Sequence, residues 1–379
     1  LQPFEELPQS RCWEAGRYLL AVRGGLLGGA LGDALAYAWQ QRPVEERIAA
    51  SAAPASLTMV ADATGKVGSS SEYTQLLLFS CEAILRGTVR SVEYQSWGTP
   101  ARRDWSGLHV YVLTDMAYRR WLQTQHGDAS HVSSAAKSDG AGWLLSQKLL
   151  YQTCPVGAGV SRQALRLLEA DDSLQSGAVP TNSAEDACAV VRAAPFGLAP
   201  VEMPFHVAHE GARLTHSRSN SRTAAGAYAV LLQAISIERL SLPDAISKTI
   251  QSLGDHPKSK ATVQALRHVV SVGGAEPMAG NALRQPPGTP AEALAFGAAC
   301  AFSHTDFKTV IARSLGHAGD IVATAAIAGT IFGAIHGAGA LPAPMIKRLE
   351  LRRIIAAIAD DIVIGYGATA AWRRRYPGY

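Results

Sequence analysis

The sequence predicts an all-α fold in a single compact globular domain, and three observations lead there. Apolar residues make up 47% of the 379-residue chain and charged residues only 17%, against about 25% charged in an ordinary soluble domain. With 35 glycines and abundant alanine, that composition describes helices packed close together. Apolar positions recur at the helical period along most of the chain, and strand-like alternation appears only weakly, at Leu108–Leu113. No linker, compositional break or internal repeat divides the chain. The same figures exclude a disordered chain, because the net charge is only +4 and the apolar content is high.

The helices follow in order. Arg17–Ala38 is apolar and Gly-rich. Thr74–Leu85 is helical and is expected to stop at Arg86-Gly87, a basic residue followed by a C-cap glycine. Asp115–Gln125 is amphipathic, and Ser161–Ala170 carries Leu165, Leu167 and Leu168 on one side. Ala184–Val191, Thr223–Ile237, Leu242–Leu253 and Lys260–Val272 come next. Pro290–Ala301, Phe307–Gly316, Ile321–Gly337 and Pro344–Tyr366 complete the set. Gln41–Gly68, Gly98–Gly107, Gly127–Gly142 and Gly273–Gly288 are expected loops, and connections this long in a compact domain are usually functional. Residues 1–16 are expected to form an N-terminal extension and 17–379 the domain.

Two glycine stripes stand out. Gly24, Gly28 and Gly32 lie at spacing four, ending beside Asp33. Gly329, Gly333 and Gly337 repeat the spacing downstream of Asp320. Glycine costs a helix interior about 1 kcal/mol relative to alanine, so each stripe serves either close helix packing or close approach of backbone to a ligand.

The 5 cysteines (Cys12, Cys81, Cys154, Cys188, Cys300) are odd in number, widely spaced and form no CxxC. They read as reduced core thiols of a cytoplasmic protein. The opening Leu-Gln-Pro-Phe-Glu-Glu lacks a basic stretch ahead of an apolar one and is expected to be a trimmed or tagged start rather than a signal peptide. Ile321–Ile335 is read as the longest apolar run, short of the ~20 residues of a membrane span. Basic residues are scattered, so neither a nucleic-acid nor a membrane partner is expected. Nucleophile elbows, zincin helices, P-loops and dinucleotide fingerprints are absent.

Three segments resemble the ADP-ribosylglycohydrolase family. Gly28-Gly29-Ala30-Leu31-Gly32-Asp33-Ala34-Leu35 is similar to its G-x-A-x-G-D-A-x-G stretch. Ser71-Glu72-Tyr73-Thr74-Gln75 stands where the family has T/S-D-D-T-Q ahead of a helix. Gly319-Asp320-Ile321-Val322-Ala323-Thr324 stands where it has G-D-x-D-T. Weaker matches lie between: Tyr118-Arg119-Arg120-Trp121-Leu122-Gln123-Thr124-Gln125, Asp139…Gly142-Trp143-Leu144, Val191-Arg192-Ala193-Ala194-Pro195-Phe196-Gly197 and Thr215-His216. The order is right, and the matches span about Arg17 to Pro342. The resemblance implies an all-α fold of this family's type, with a cleft for ADP-ribose and two Mg²⁺ ions.

The chain departs from the family at the ligands that the resemblance implies. Ser71 keeps a hydroxyl and Glu72 a carboxylate, but Tyr73 replaces the second Asp with a phenol, a poor Mg²⁺ ligand. Asp320 keeps one Asp, whereas Val322 and Ala323 replace the second Asp and the Thr; Thr324 would need a one-residue shift to serve. Gln40 stands where the family has a mobile glutamate, and it cannot act as a base. No dinuclear metal site is therefore expected, and at most one Mg²⁺, between Glu72 and Asp320. The expected catalytic residues are Glu72, Asp320 and His317. The expected ligand-binding residues are Asp33, Trp39, Gln40, Ser71, Tyr73, Arg192, His216 and Gly319. Glu72 and Asp320 can equally be helix-start caps, and Tyr73, Trp39, His317 and His216 packing residues. The expected activity is that of a divergent hydrolase on an ADP-ribosyl, nucleotide or other N-glycoside-like small molecule; a pseudoenzyme that binds without turnover is the alternative.

Overall fold

A computed structural model describes residues 9–96, 105–126, 141–151, 159–170, 182–254, 257–273, 287–302 and 304–378. Seventeen α-helices run through them: α1 (Gln9–Trp39), α2 (Val44–Ala52), α3 (Glu72–Ser96), α4 (Trp105–His126), α5 (Gly159–Ala170), α6 (Cys188–Val191), α7 (Ala194–Leu198), α8 (Pro204–Arg213) and α9 (Ser219–Ser236). α10 (Leu242–Leu253), α11 (Lys260–Ser271), α12 (Pro290–Phe302), α13 (Phe307–Leu315), α14 (Ile321–His336), α15 (Ala343–Arg348), α16 (Arg352–Ile364) and α17 (Ala370–Arg375) follow. The described residues hold no strand, only one isolated antiparallel bridge between Ala61 and Val67. The all-α expectation is met.

α1 and α14 are the central pair, and both glycine stripes lie on their seam. A Cβ on Gly24 would run into the carbonyl of Gly333, one on Gly28 into that of Gly329, and one on Gly32 into that of Ala325; Gly329 and Gly333 face Gly28 and Gly24 in return. Close helix packing is therefore the reason for the stripes. The contact also decides where the polar residues go. Asp33 follows Gly32 on α1, and Asp320 caps α14 by accepting from the Ala323 amide at 2.9 Å. α3 and α16 pack against α1, while α12 and α13 pack against α14, and one continuous apolar core joins them.

Several elements depart from the expected boundaries. Leu108–Leu113 belongs to α4, not to a strand; α4 buries Leu113, Ala117, Tyr118 and Trp121 along α3, and that packing outweighs local β preference. α3 runs past Arg86-Gly87, because Arg86 is not a solvated end but a fully buried partner of Glu82 at 3.3 Å. α2 lies inside the expected loop 41–68. Pro344–Tyr366 divides into α15 and α16 at Leu349–Leu351, and α8 starts at Pro204, where no helix was expected. α1 begins at Gln9 rather than at Arg17, where the first helix was expected to start. It also carries a longer apolar stretch than Ile321–Ile335: Glu14–Trp39 is long and apolar enough to cross a membrane, but 83% of its most apolar window is buried inside the protein, as a core helix is.

Candidate active site

The site is built where α1, α3 and α14 meet. Helix α3 begins with amides that need acceptors, and Asp33 on α1 supplies them. Its carboxylate accepts from the Ser71 amide at 3.2 Å, from the Thr74 amide at 3.2 Å and from the Thr74 hydroxyl. Ser71 adds its own cap, its Oγ accepting from the Tyr73 amide at 3.1 Å. Burial raises the Asp33 carboxyl to about 6, against these hydrogen bonds. Asp33 and Ser71 thus fix the start of α3, and with it Glu72 and Tyr73.

Glu72 is fully buried and lies against Arg162 of α5; neither carboxylate oxygen has a hydrogen-bond partner among the described residues. Tyr73 donates its hydroxyl to Asp320 Oδ2 at 2.7 Å. Burial and the adjacent Asp320 charge hold the phenol well above its ordinary pKa, so it stays a donor. Asp320 is itself raised by burial, opposed by the Ala323 amide and the Tyr73 hydroxyl. The segments around residues 72 and 320 therefore come together through a direct side-chain bond.

A second polar line runs behind them. Asp186 lies close enough for its charge to act on both Tyr73 and Asp320. Asp186 Oδ2 is 3.1 Å from His216 Nε2, and His216 Nδ1 is 2.8 Å from the Thr215 hydroxyl. Burial pushes the Asp186 carboxyl up, but His216 and the Cys188 amide bring it below the ordinary carboxylate range. Arg192 is buried; it donates to Ser161 Oγ at 3.0 Å and to Thr215, and its guanidinium lies 4.7 Å above the Tyr118 ring. Cys188 sits under Ser161 at 3.4 Å, and burial pushes its thiol up to about 12.

The other expected residues lie on the framework around this cluster. His317 is buried; Nε2 meets the Thr324 hydroxyl at 2.9 Å and Nδ1 accepts from the Gly319 amide at 3.0 Å. Burial and Arg47 lower it to about 4, so it is neutral at pH 7. Thr324 also donates toward Ser314 and Asp320 carbonyls at 3.2 Å and faces the α13–α14 turn. Val322 and Ala323 are buried. Trp39 donates its indole N–H to the Thr58 carbonyl at 3.2 Å, tying the end of α1 to the segment after α2. Gln40 beside it is half-buried, with its side-chain Nε2 buried and unpartnered among the described residues. Asp139, in one of the weaker motif matches, lies outside the described residues.

The family model described as ADP-ribosylglycohydrolase matches residues 16–371. The chain belongs to the ADP-ribosylglycohydrolase family. A solved structure described as "ADP-ribosylglycohydrolase-related protein complex" is similar to it, with 20% sequence identity and a TM-score of 0.55, over 92% of this chain and 99% of the other. At that identity the likeness concerns the fold alone. No curated protein matches the chain.

In this member of the family, the residues brought into contact are Asp33, Ser71, Glu72, Tyr73 and Asp320, with Gly319 beside them. His216 and Arg192 join through Thr215. Sequence reading passed over Arg162 and Asp186. Asp186 stands five residues before the Val191–Gly197 match, and Arg162 lies on a helix noted only for its leucines; neither position carries a local motif.

Proposed function

We propose that this chain is a divergent ADP-ribosylglycohydrolase-like protein whose cleft takes an ADP-ribosyl group, a nucleotide or another N-glycoside-like small molecule, and that it works without a dinuclear Mg²⁺ site. The observation that carries the reading is the Tyr73–Asp320 bond at 2.7 Å. It places a phenol and a carboxylate at the meeting of two helix starts, the part of a helix that favours anionic groups.

The residues present do not fit two Mg²⁺ ions. Magnesium asks for several oxygen donors in near-octahedral array. Asp320 already has one oxygen on the Ala323 amide and the other on Tyr73, Ser71 caps α3, and the guanidinium of Arg162 lies against Glu72. In the hydrolytic reading Asp320 is the general base. It takes a proton from a water whose oxygen bonds to the anomeric carbon, while the electron pair of the broken glycosidic bond leaves with the departing group. We assign His317 to the framework, since both its ring nitrogens are engaged.

The second reading, a module that binds without turnover, is favoured by the engagement of Asp320, whose two oxygens already accept from Tyr73 and the Ala323 amide. Cytoplasmic action on a small molecule fits the free buried thiols of Cys81, Cys188 and Cys300.

Thermal shift and turnover assays test the proposal. ADP-ribose is expected to raise the Tm equally with EDTA and with Mg²⁺. Release of ADP-ribose that survives EDTA and is lost in Asp320→Asn supports the enzyme; binding without release supports the module. No ADP-ribose shift under any condition counts against this ligand class.

A further inference from the structure

We propose a second binding site on this chain, a pocket between α17 and the turn after Gly142 that takes a small planar aromatic ring carrying an anionic group. It shares no residue with the Asp320 cluster and stands independently of the reading above. The pocket has a volume of about 470 Å³, within the range of small-molecule sites. Two indoles, of Trp143 and Trp372, and two guanidinium groups, of Arg374 and Arg375, lie on its wall, and no acid does. Indole faces offer stacking surface to a flat ring. Alone they would also attract a cation, but the guanidinium groups beside them repel one and favour a carboxylate or phosphate.

The wall is held by the protein itself. The Trp143 amide donates to the Arg375 carbonyl at 3.1 Å, which ties the turn at Leu144–Ser146 to α17. The Arg375 guanidinium lies 3.6 Å above the Trp143 ring, and its Nε donates to Asp361 Oδ2 at 2.7 Å. Trp372 rests on backbone: a Cβ on Gly367 would come within 2.9 Å of its ring. Tyr376 meets the same ring edge-on, with centroids 5.3 Å apart. Side chains fixed in this way lose little freedom when a ligand binds. Arg374 is the charge that the protein leaves unanswered. Its neighbours are paired, Arg373 with Glu93 at 3.5 Å and Arg375 with Asp361 at 2.7 Å, whereas Arg374 is exposed and has no ion pair among the described residues. The Trp372 indole N–H also lacks an acceptor among them. A ligand's anionic group supplies the counter-charge for Arg374, and its ring covers indole surface.

Calorimetry on the full chain tests the site, with AMP and 2-naphthoate as probes. Adenosine, a ring without the charge, and inorganic phosphate, a charge without the ring, are the controls. Wild type is expected to bind a probe: AMP identifies a nucleotide and 2-naphthoate an aromatic acid. Arg374→Glu changes an exposed position, so it is expected to fold as wild type does and to weaken the probe about ten-fold or more, the loss of one hydrogen bond to a charged group. Trp372→Leu is expected to weaken it as well; should that variant unfold, Arg374→Glu carries the test alone. Asp320→Asn is expected to leave probe binding unchanged, so failure of this proposal does not touch the ADP-ribose reading. Binding of neither probe overturns the proposal. So does probe binding that either pocket variant, once folded, leaves unchanged, and so does adenosine or phosphate binding as tightly as AMP. Loss in Asp320→Asn with retention in Arg374→Glu places the probe at the other site and overturns it too.

Discussion

Asp33 does two opposed things. Its carboxylate anchors the start of α3, yet burial holds its pKa near 6, above the ordinary value. The protonated form is therefore the one that folding favours. Its contribution to stability is complete below about pH 4, declines as pH rises through about 6 and is flat above. Two pKa units correspond to about 3 kcal/mol. Urea midpoints measured from pH 4 to 7 are expected to fall across that window in wild type, and to lose that part of the slope in Asp33→Asn, which is itself less stable at pH 4 because its amide nitrogen, unlike a carboxyl hydroxyl, cannot accept from the donors that meet both Asp33 oxygens. At Tyr73 the expectation is simpler. Tyr73→Phe leaves the half-buried Asp320 without that donor and costs about 1 kcal/mol, which equilibrium denaturation reads directly. These residues were legible because each sits in a short run with a characteristic spacing. Arg162 and Asp186 were not, because they enter the site from segments roughly 90 to 130 positions from one or another of their partners, and only the packing of α5 and of the turn before α6 brings them in.

The seam between α1 and α14 was half legible. Spacing at four marks both glycine stripes, but spacing alone leaves packing and ligand approach equal; the opposing carbonyls of Gly24 and Gly333 decide it. Gly333→Ala drives a methyl group into the Gly24 backbone, which cannot yield like a side chain. Overpacking of this kind costs about 1–3 kcal/mol or more, and because α1 and α14 carry Asp33 and Asp320, any ADP-ribose response is expected to weaken with it. Gly16→Ala on the same α1 meets open space and is expected to raise stability by up to about 1 kcal/mol. Melting curves of the two variants should therefore move in opposite directions. The misread elements share a cause: local pattern cannot see a partner. Leu108–Leu113 alternates, yet the rest of α4 packs along α3; Arg86-Gly87 looks like a helix end, yet Arg86 is buried beside Glu82.

A chain with only 17% charged residues nonetheless buries several of them, and two of the acids are each matched by more than one group. Glu82 is fully buried between Arg86, at 3.3 Å, and Arg120, at 3.0 Å. Arg86 also donates to the Ala141 carbonyl at 2.9 Å and to that of Pro377 at 3.3 Å, so one acid on α3 ties α4, the segment after residue 140 and the C-terminal end together. Asp361 on α16 does the same for Arg375, at 2.7 Å, and for Tyr376. Removing the acid from such a group leaves a buried cation without compensation, a change of about 3–5 kcal/mol. Glu82→Gln is therefore expected to lower stability by about that amount, and 0.5 M NaCl should not reduce the loss, because salt screens exposed pairs far more than buried ones. The exposed pair of Lys248 and Glu238 supplies the contrast: Lys248→Ala is expected to cost under about 1 kcal/mol, and to cost less as salt rises. If Glu82→Gln is no more harmful than Lys248→Ala in parallel denaturation series, the buried charges are not what ties these segments together.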